Sequence, residues 1–551
     1  MKIDSNIIKT YKAVHTWTGI IAGLALFIAF YAGSMTVFKD SLSRWASPPG
    51  MGSVEDVSLL DAPQLIADTI AAHPEAARQL RLNLHPSENL SSRISWEVRN
   101  PESHDHGSHE NRHYTATLNT DSGYVSQEVH PSQLAEFIDT LHRVVGLPFD
   151  TEENRWFMGV IAVLYTLALV SGLIVLLPTL VKDFFALRLG KNLKRMWLDA
   201  HNVVGIASLP FHLVMALTSI AFAFHDPIYD VQDQMFHDGE LSEIFRPAVP
   251  PPPPDQPTDP TAMLPPLEIV ARAKALSPSF EPYMLHYIAV NTPRAQVRVW
   301  GHDMTGVMPR YLGGFVPINP YTGEALSLEF MPGLQSDAST TISSFFALHM
   351  ALYGGDTVRW IYFILGLSGA WLFYTGNLLW VESRRKKQRR DKQVPIQRKD
   401  TSIMASLTVG VSLGCISGIS ASIAAAKWLN GYVDDLTSWH MIIYYVLFFT
   451  GIAWAFLRGP GRAAVELLWF AVVTTLFIPL ASLLAWIMPG SHLWVHLSPA
   501  TLGVDITALF MAVCFSLMAT ATARRVYGGR PEDSLWHTQG KTSHKNVAGN
   551  I

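Results

Sequence analysis

Long apolar runs alternate with two long polar segments along this chain. Eight runs are apolar enough to cross a bilayer, at about residues 14–38, 155–180, 202–224, 358–381, 404–427, 438–457, 463–488 and 501–523. Each approaches the ~20 residues that a hydrocarbon core of ~30 Å requires. The polar segments are 39–154 and 225–357. Each opens on an amphipathic helical stretch, around 65–72 and 267–275, and passes to alternating, β-rich sequence. The turns Asp121-Ser122-Gly123 and Tyr321-Thr322-Gly323 between those flanks suit hairpins. The proline run at 250–254 reads as a stiff linker ahead of the second polar domain.

The short loops orient the runs. Lys182, Arg188, Lys191, Lys194 and Arg195 follow the second, and Arg384, Arg385, Lys386, Lys387, Arg389 and Arg390 follow the fourth. Arg458 and Arg462 follow the sixth, and Arg524 and Arg525 the eighth. Every second loop is basic, so the positive-inside rule puts both termini in the cytoplasm and both polar segments on the outer side. Lys2, Lys9 and Lys12 precede the first run as in a signal peptide, but the run is too long for one and reads as a retained helix.

Residues 11–180 and 197–381 read as a duplication: helix, helix–strand domain, amphipathic Leu-His helix, helix. In this register His15 matches His201, Gly19 matches Gly205 and His142 matches His349. Both halves cross in the same sense, which makes the repeat parallel. The expected fold is an α-helical polytopic membrane protein of about eight transmembrane helices with two small α+β domains. Its order is a first helix (1–38), an outer domain (39–154), two helices with a basic loop (155–224) and a second outer domain (225–357). A fourth helix and basic loop (358–400), a further four-helix block (401–525) and an inner tail (526–551) complete it.

Composition narrows the chemistry. With 49% hydrophobic and 16% charged among 551 residues, the chain is too apolar for an ordinary soluble protein. A net charge of −4 gives no reason to expect nucleic acid. Cys415 and Cys514 both lie in apolar runs, so there is no disulfide framework and no Cys-x-x-Cys-His haem attachment. No dinucleotide fingerprint, P-loop or catalytic-serine elbow is present, so reducing equivalents would come from a separate flavin or NAD(P)H reductase, or from quinol.

The candidate chemistry is carried by histidines. His15 and His201 open apolar runs at the inner side, and His142 and His349 sit on outer amphipathic helices. His212 follows His201 by eleven residues. On one continuous helix that is nearly three turns, which puts both rings on one face with ~16 Å of rise between them. Titratable groups at these depths are costly unless they face the bundle and do work, and imidazole is the common ligand of non-covalently held haem. The repeat suggests that His15 and His201 share an inner haem. For an outer haem, His212 with His349 is one pairing, and symmetry alone would give His142 with His349. Gly19, Gly23, Gly205 and Ala207 would leave room beside them. His104, His106, His109 and His113 crowd one outer loop and form a weak candidate metal site, more simply read as a flexible insertion. His440, His492 and His496 at the outer ends of the last runs read as interfacial. The basic run 384–390 also contacts anionic lipid.

At these residues the sequence resembles the PepSY-associated transmembrane family. The resemblance is carried by His15-x-Trp17-x-Gly19, the two Leu-His helices, His201, His212 and the two strand–turn segments, over roughly residues 10–385. It implies PepSY-like periplasmic domains and a bacterial inner-membrane protein with two haem b groups, acting as a ferric-siderophore reductase in iron uptake. The block at 404–523 departs from the four-helix pattern of the family. The leading expectation is thus an oxidoreductase that carries electrons from the cytoplasmic side to a ferric siderophore. The alternatives are a non-catalytic PepSY-type regulator of a periplasmic protein and a transporter of iron, haem or siderophore. The few acidic residues within the runs argue against a proton-coupled carrier.

Overall fold

The protein is described by a computed structural model over residues 4–49, 58–85, 92–98, 112–119, 123–181, 193–239, 258–310, 313–386, 395–528 and 535–537. The proline run, His104, His106, His109, Asp121, Ser122 and the basic residues Lys182, Arg188, Lys191, Lys387, Arg389 and Arg390 lie outside the described residues. The chain divides into two compact units. One comprises residues 1–46, 134–223 and 363–551, and the other 47–133 and 224–362.

The first unit is helical. Among the described residues, seven helices are long and apolar enough to cross a membrane. They are α1 (Ser5–Thr36), Glu152–Leu176, Gly355–Arg384, Lys399–Trp428, Leu436–Arg458, Pro460–Ile487 and Pro499–Tyr527. Their starts are set locally. Asp4 caps α1 by accepting from Asn6 N, Thr151 caps the second by accepting from Asn154 N, and Ser498 caps the last by accepting from Thr501 N.

The run expected as a single helix over 202–224 is broken. Leu193–Ala207 and Leu209–Ala223 meet at Ser208 with a bend of 70°, and they count as an eighth span only if taken together. Pro210 supplies the cause. It lacks the N–H that would bond back one turn, and its ring crowds the carbonyl there. The shared face and ~16 Å rise expected for His201 and His212 on a straight helix therefore do not hold, because the two residues lie on different arms.

In the C-terminal block, Gly410, Gly414 and Gly418 form a stripe along Lys399–Trp428 at a spacing of four. A Cβ at Gly410 would meet Ile452 Cα at 2.7 Å, and one at Gly414 would meet Phe448 O at 2.8 Å. Missing side chains thus let the Leu436–Arg458 backbone approach, as expected where apolar driving force between helices is absent. Helices of the same block also pack against α2 (Lys39–Ala46). Trp45 is fully buried, and its Nε1 donates to Asp505 Oδ1 at 2.9 Å.

The second unit is built on one sheet. The expected strands form, but the two polar segments do not make separate sheets. Strands β1 (Gln79–Asn83), β2 (Ile94–Val98), β3 (Arg112–Asn119) and β4 (Gly123–Val129) come from the first segment. Strands β5 (Glu281–Ile288), β6 (Gln296–His302) and β7 (Gly314–Ile318) come from the second. All pairings are antiparallel, in the order β4-β3-β2-β1-β5-β6-β7. The seam is β1 against β5, with Leu80 opposite Tyr287 and Leu82 opposite Leu285. Outward from it the strands follow chain order on both sides. Period-two alternation sends Leu80, Leu82, Ile94, Leu285, Tyr287, Val297, Val299, Val316 and Ile318 into one buried core, shared with Leu65, Ile66 and Ile269 of the helices Ala62–Ala72 and Pro266–Leu276.

Candidate functional site

Four of the five candidate histidines lie in the helical unit, and each sits where an imidazole meets another helix at a glycine. His15 on α1 faces Gly172, where a Cβ would stand 2.8 Å from the ring. His142, on the helix Leu134–Arg143, faces Gly33, where a Cβ would stand 2.6 Å from Nδ1. A Cβ at Gly376 would lie 3.4 Å from His201 Cε1, and one at Gly369 would lie 3.2 Å from His212 Cε1. The glycines picked out by sequence are different ones. A Cβ at Gly19 would meet nothing within 4 Å, Gly205 faces Leu372, and Gly23 faces Asn377. Only the partner helix shows which glycine matters.

The hydrogen bonds of these rings fix their tautomers. His15 Nδ1 lies 2.8 Å from Ala168 O, and His142 Nδ1 lies 2.8 Å from Ala29 O. A carbonyl only accepts, so each Nδ1 carries the proton and, in the neutral ring, Nε2 carries the lone pair. Thr375 Oγ1 spends its hydrogen on Leu372 O at 2.9 Å and so accepts from His201 Nδ1 at 3.2 Å. Tyr165 donates to His212 O at 3.1 Å and accepts from His212 Nδ1 at 2.6 Å. In all four, the neutral ring therefore keeps its lone pair on Nε2. This is how metal-bound imidazoles are held, with the outer nitrogen bonded to a carbonyl or hydroxyl.

Two further observations bear on metal. His15 and His201 ring centroids are 6.2 Å apart with planes at 70°. Metal–imidazole bonds of about 2.0 Å and ring half-widths of about 1 Å put two axial rings about 6 Å apart. His212 is fully buried and its Nε2 has no hydrogen-bond partner. Its surroundings are aromatic: Phe30, Phe211 and Phe373 rings lie 5.6, 5.6 and 6.4 Å from it. A buried lone pair in an aromatic box is an unmet demand, and a flat macrocycle with a central iron answers both parts of it. The residues fit haem.

His349 lies in the other unit, half-buried on the helix Asp337–Met350. Of the candidate outer-loop metal site only His113 is described, with Nδ1 3.7 Å from Glu97 Oε1. Among the described residues no three His, Cys, Asp or Glu side chains are grouped to hold an ion. His440 is buried, and neither of its ring nitrogens has a hydrogen-bond partner. His492 Nδ1 lies 3.3 Å from Tyr432 OH, and His496 Nδ1 lies 3.3 Å from Arg44 Nη2.

Sequence reading missed one charged centre. Lys427 is fully buried; its Nζ donates to Ser482 Oγ at 2.8 Å and Trp494 O at 3.0 Å, and sits 3.9 Å from the centroid of the Trp45 ring. Ser482 in turn donates to Asp505 Oδ1 at 3.0 Å. The signal was present as a lone Lys and a lone Asp inside two apolar runs.

No curated protein matches the chain. The family described as PepSY-associated TM region matches residues 13–383, which holds all five histidines and leaves the C-terminal block outside. By that match, over well more than half of its length, the chain belongs to the PepSY-associated TM region family.

Proposed function

We propose that the chain is a bacterial inner-membrane haem b oxidoreductase. It takes electrons from a cytoplasmic donor, either a flavin or NAD(P)H reductase or quinol, and delivers them to a periplasmic ferric siderophore, releasing Fe(II). Haem b, when bound, supplies the one-electron carrier. The observation that carries the reading is the common tautomer of His15, His142, His201 and His212, each with Nδ1 bonded and, in the neutral ring, the lone pair on Nε2. His15 and His201 would hold one such group between them. A second would take two of His212, His142 and His349 as ligands. Ala168, Thr375 and Tyr165 hold the rings in orientation and raise their basicity.

The basic inner loops support the placement, with both termini in the cytoplasm and the sheet unit in the periplasm. The mirrored strand order about the β1–β5 seam supports a duplication of the first two-thirds of the chain. Reduction frees the metal because hard siderophore oxygens suit Fe(III) far better than Fe(II).

The test is an absorption spectrum of detergent-purified protein before and after dithionite, with a pyridine haemochrome count. A sharp low-spin α-band at two haems per chain, discharged by a ferric siderophore, is expected. A colourless protein from haem-replete cells overturns the reading and favours a regulator.

A further inference from the structure

The sheet has a second face, turned away from the helices Ala62–Ala72 and Pro266–Leu276, and its composition is unlike that of an ordinary solvated surface. Across three adjacent strands, one row reads Arg81, His286, Arg298, since Arg81 is opposite His286 and His286 is opposite Arg298. Side chains directly opposite in an antiparallel pair stand about 5 Å apart, so the His286 imidazole lies between two guanidinium groups. The next row on the same face reads Met284, Trp300, Phe315. The Trp300 and Phe315 rings are 4.6 Å apart, and Phe315 stacks on Phe330 at 4.7 Å. Arg298 lies over the Phe315 ring at 5.1 Å and Arg310 over the Phe330 ring at 5.9 Å. Cations and aromatic rings are thus interleaved from β1 across β5 and β6 to β7.

The hydrogen-bonding capacity of this face is unspent. His286 Nε2, Arg298 Nε and Trp300 Nε1 are all buried without a hydrogen-bond partner. Glu97, with Oε1 2.5 Å from Arg81 and 3.7 Å from His113, is a carboxylate on this face, and the exposed Glu281 stands opposite His302 at the start of β5. Arg298 has no carboxylate partner among the described residues. The charges feel one another. Burial, and then Arg81 and Arg298, hold the His286 pKa down to about 4, against a smaller pull from Glu97. Burial and Arg310 lower that of Arg298. Such crowding is relieved by an anion bridging the row, and a guanidinium fork beside an indole N–H suits carboxylate oxygens.

We infer that this face, between Arg81 and Arg298 on one row and Trp300 and Phe315 on the next, binds a multiply charged anionic metal chelate of the carboxylate class. The inference rests on the ferric-siderophore reading and narrows it. The preferred substrate carries carboxylates, and an uncharged trihydroxamate complex is a poor ligand.

The test is calorimetric titration of the full-length protein in detergent. Gallium(III) citrate is the probe, since Ga(III) matches Fe(III) in charge and accepts no electron here. Binding that weakens with salt is expected, as is a loss of at least tenfold in Arg298→Gln and a similar loss in Trp300→Phe. Arg310→Gln serves as a second variant should Arg298→Gln alter the melting of the protein. The uncharged gallium(III) trihydroxamate should bind at least tenfold more weakly than gallium(III) citrate. Equal affinity for the two complexes, equal affinity for metal-free citrate, indifference to all three substitutions, or no binding would each overturn the inference. The haem count is read separately by pyridine haemochrome, so loss of the oxidoreductase reading and loss of this site give different results.

Discussion

At the scale of single residues, the helical unit is organised around imidazoles that face glycines of neighbouring helices. Gly172 is the clearest case, because a Cβ there would overlap His15 at 2.8 Å. Gly172→Val should therefore expel the ring and cost the same haem as His15→Ala or His201→Ala. Each is expected to bring the pyridine haemochrome count from two to about one, as expected when an axial ligand is removed. Full retention of two haems in all three would break the His15–His201 pair. The histidines themselves were legible in the sequence as charges at helix ends. Their partners Ala168, Ala29, Thr375 and Tyr165 were not, because an alanine carbonyl carries no side-chain signal. On the sheet, His286 links the same scale to pH. Its folded pKa of about 4 lies below the ordinary 6.5, so the unfolded chain binds more protons between those values. Stability is then full above about 6.5 and falls as pH drops through that window. His286→Gln should flatten that stretch of the melting-temperature profile of the detergent-solubilised protein; an unchanged slope would assign the pH response to other groups.

At the scale of elements, apolar length predicted where helices lie but not how they bend or meet. The break at Ser208 was written in Pro210, yet a periodic reading of 202–224 passed over it. That is why His201 and His212 looked like two ligands on one straight rod. The C-terminal block was legible as four helices and opaque in purpose. Lys427 shows one of its tasks: with Ser482, Trp494 and Asp505 it closes around Trp45 and so ties three late helices to α2. α2 is in turn bonded to the helix that carries His142, through Lys39 with Glu136 and with Asp139 at 3.0 Å. Removing the buried ammonium leaves the half-buried Asp505, linked to it through Ser482, without its counter-charge. Lys427→Met alone should thus destabilise by about 3–5 kcal/mol, and Lys427→Met with Asp505→Asn by clearly less. Thermal unfolding of the two variants in one detergent decides this. Equal losses would mean that Lys427 acts through packing alone.

At the scale of the whole molecule, the sequence predicted strands in both polar segments and placed them in two domains. The strands are there, but the domains share a sheet. Nothing local could have revealed this. Pairing of β1 with β5 joins residues about two hundred positions apart, and each strand reads equally well as the edge of its own small sheet. Left separate, those edges would expose unpaired backbone N–H and C=O groups. Joined, they bury Leu80, Leu82, Leu285 and Tyr287 in one core. One core implies one cooperative unit, and this can be tested from either side of the seam. Leu82→Asp puts an unpaired charge where exposure is 0%, a change that costs several kcal/mol. Followed by hydrogen exchange with mass spectrometry on the full chain, protection should fall together in β2 and β3 and, across the seam, in β6 and β7. Retained protection in β6 and β7 would mean that the second segment holds its own fold and that the seam is a contact between two domains. Joint loss would mean that the Arg81–His286–Arg298 row exists only while both segments are folded, so any ligand held there stabilises both at once.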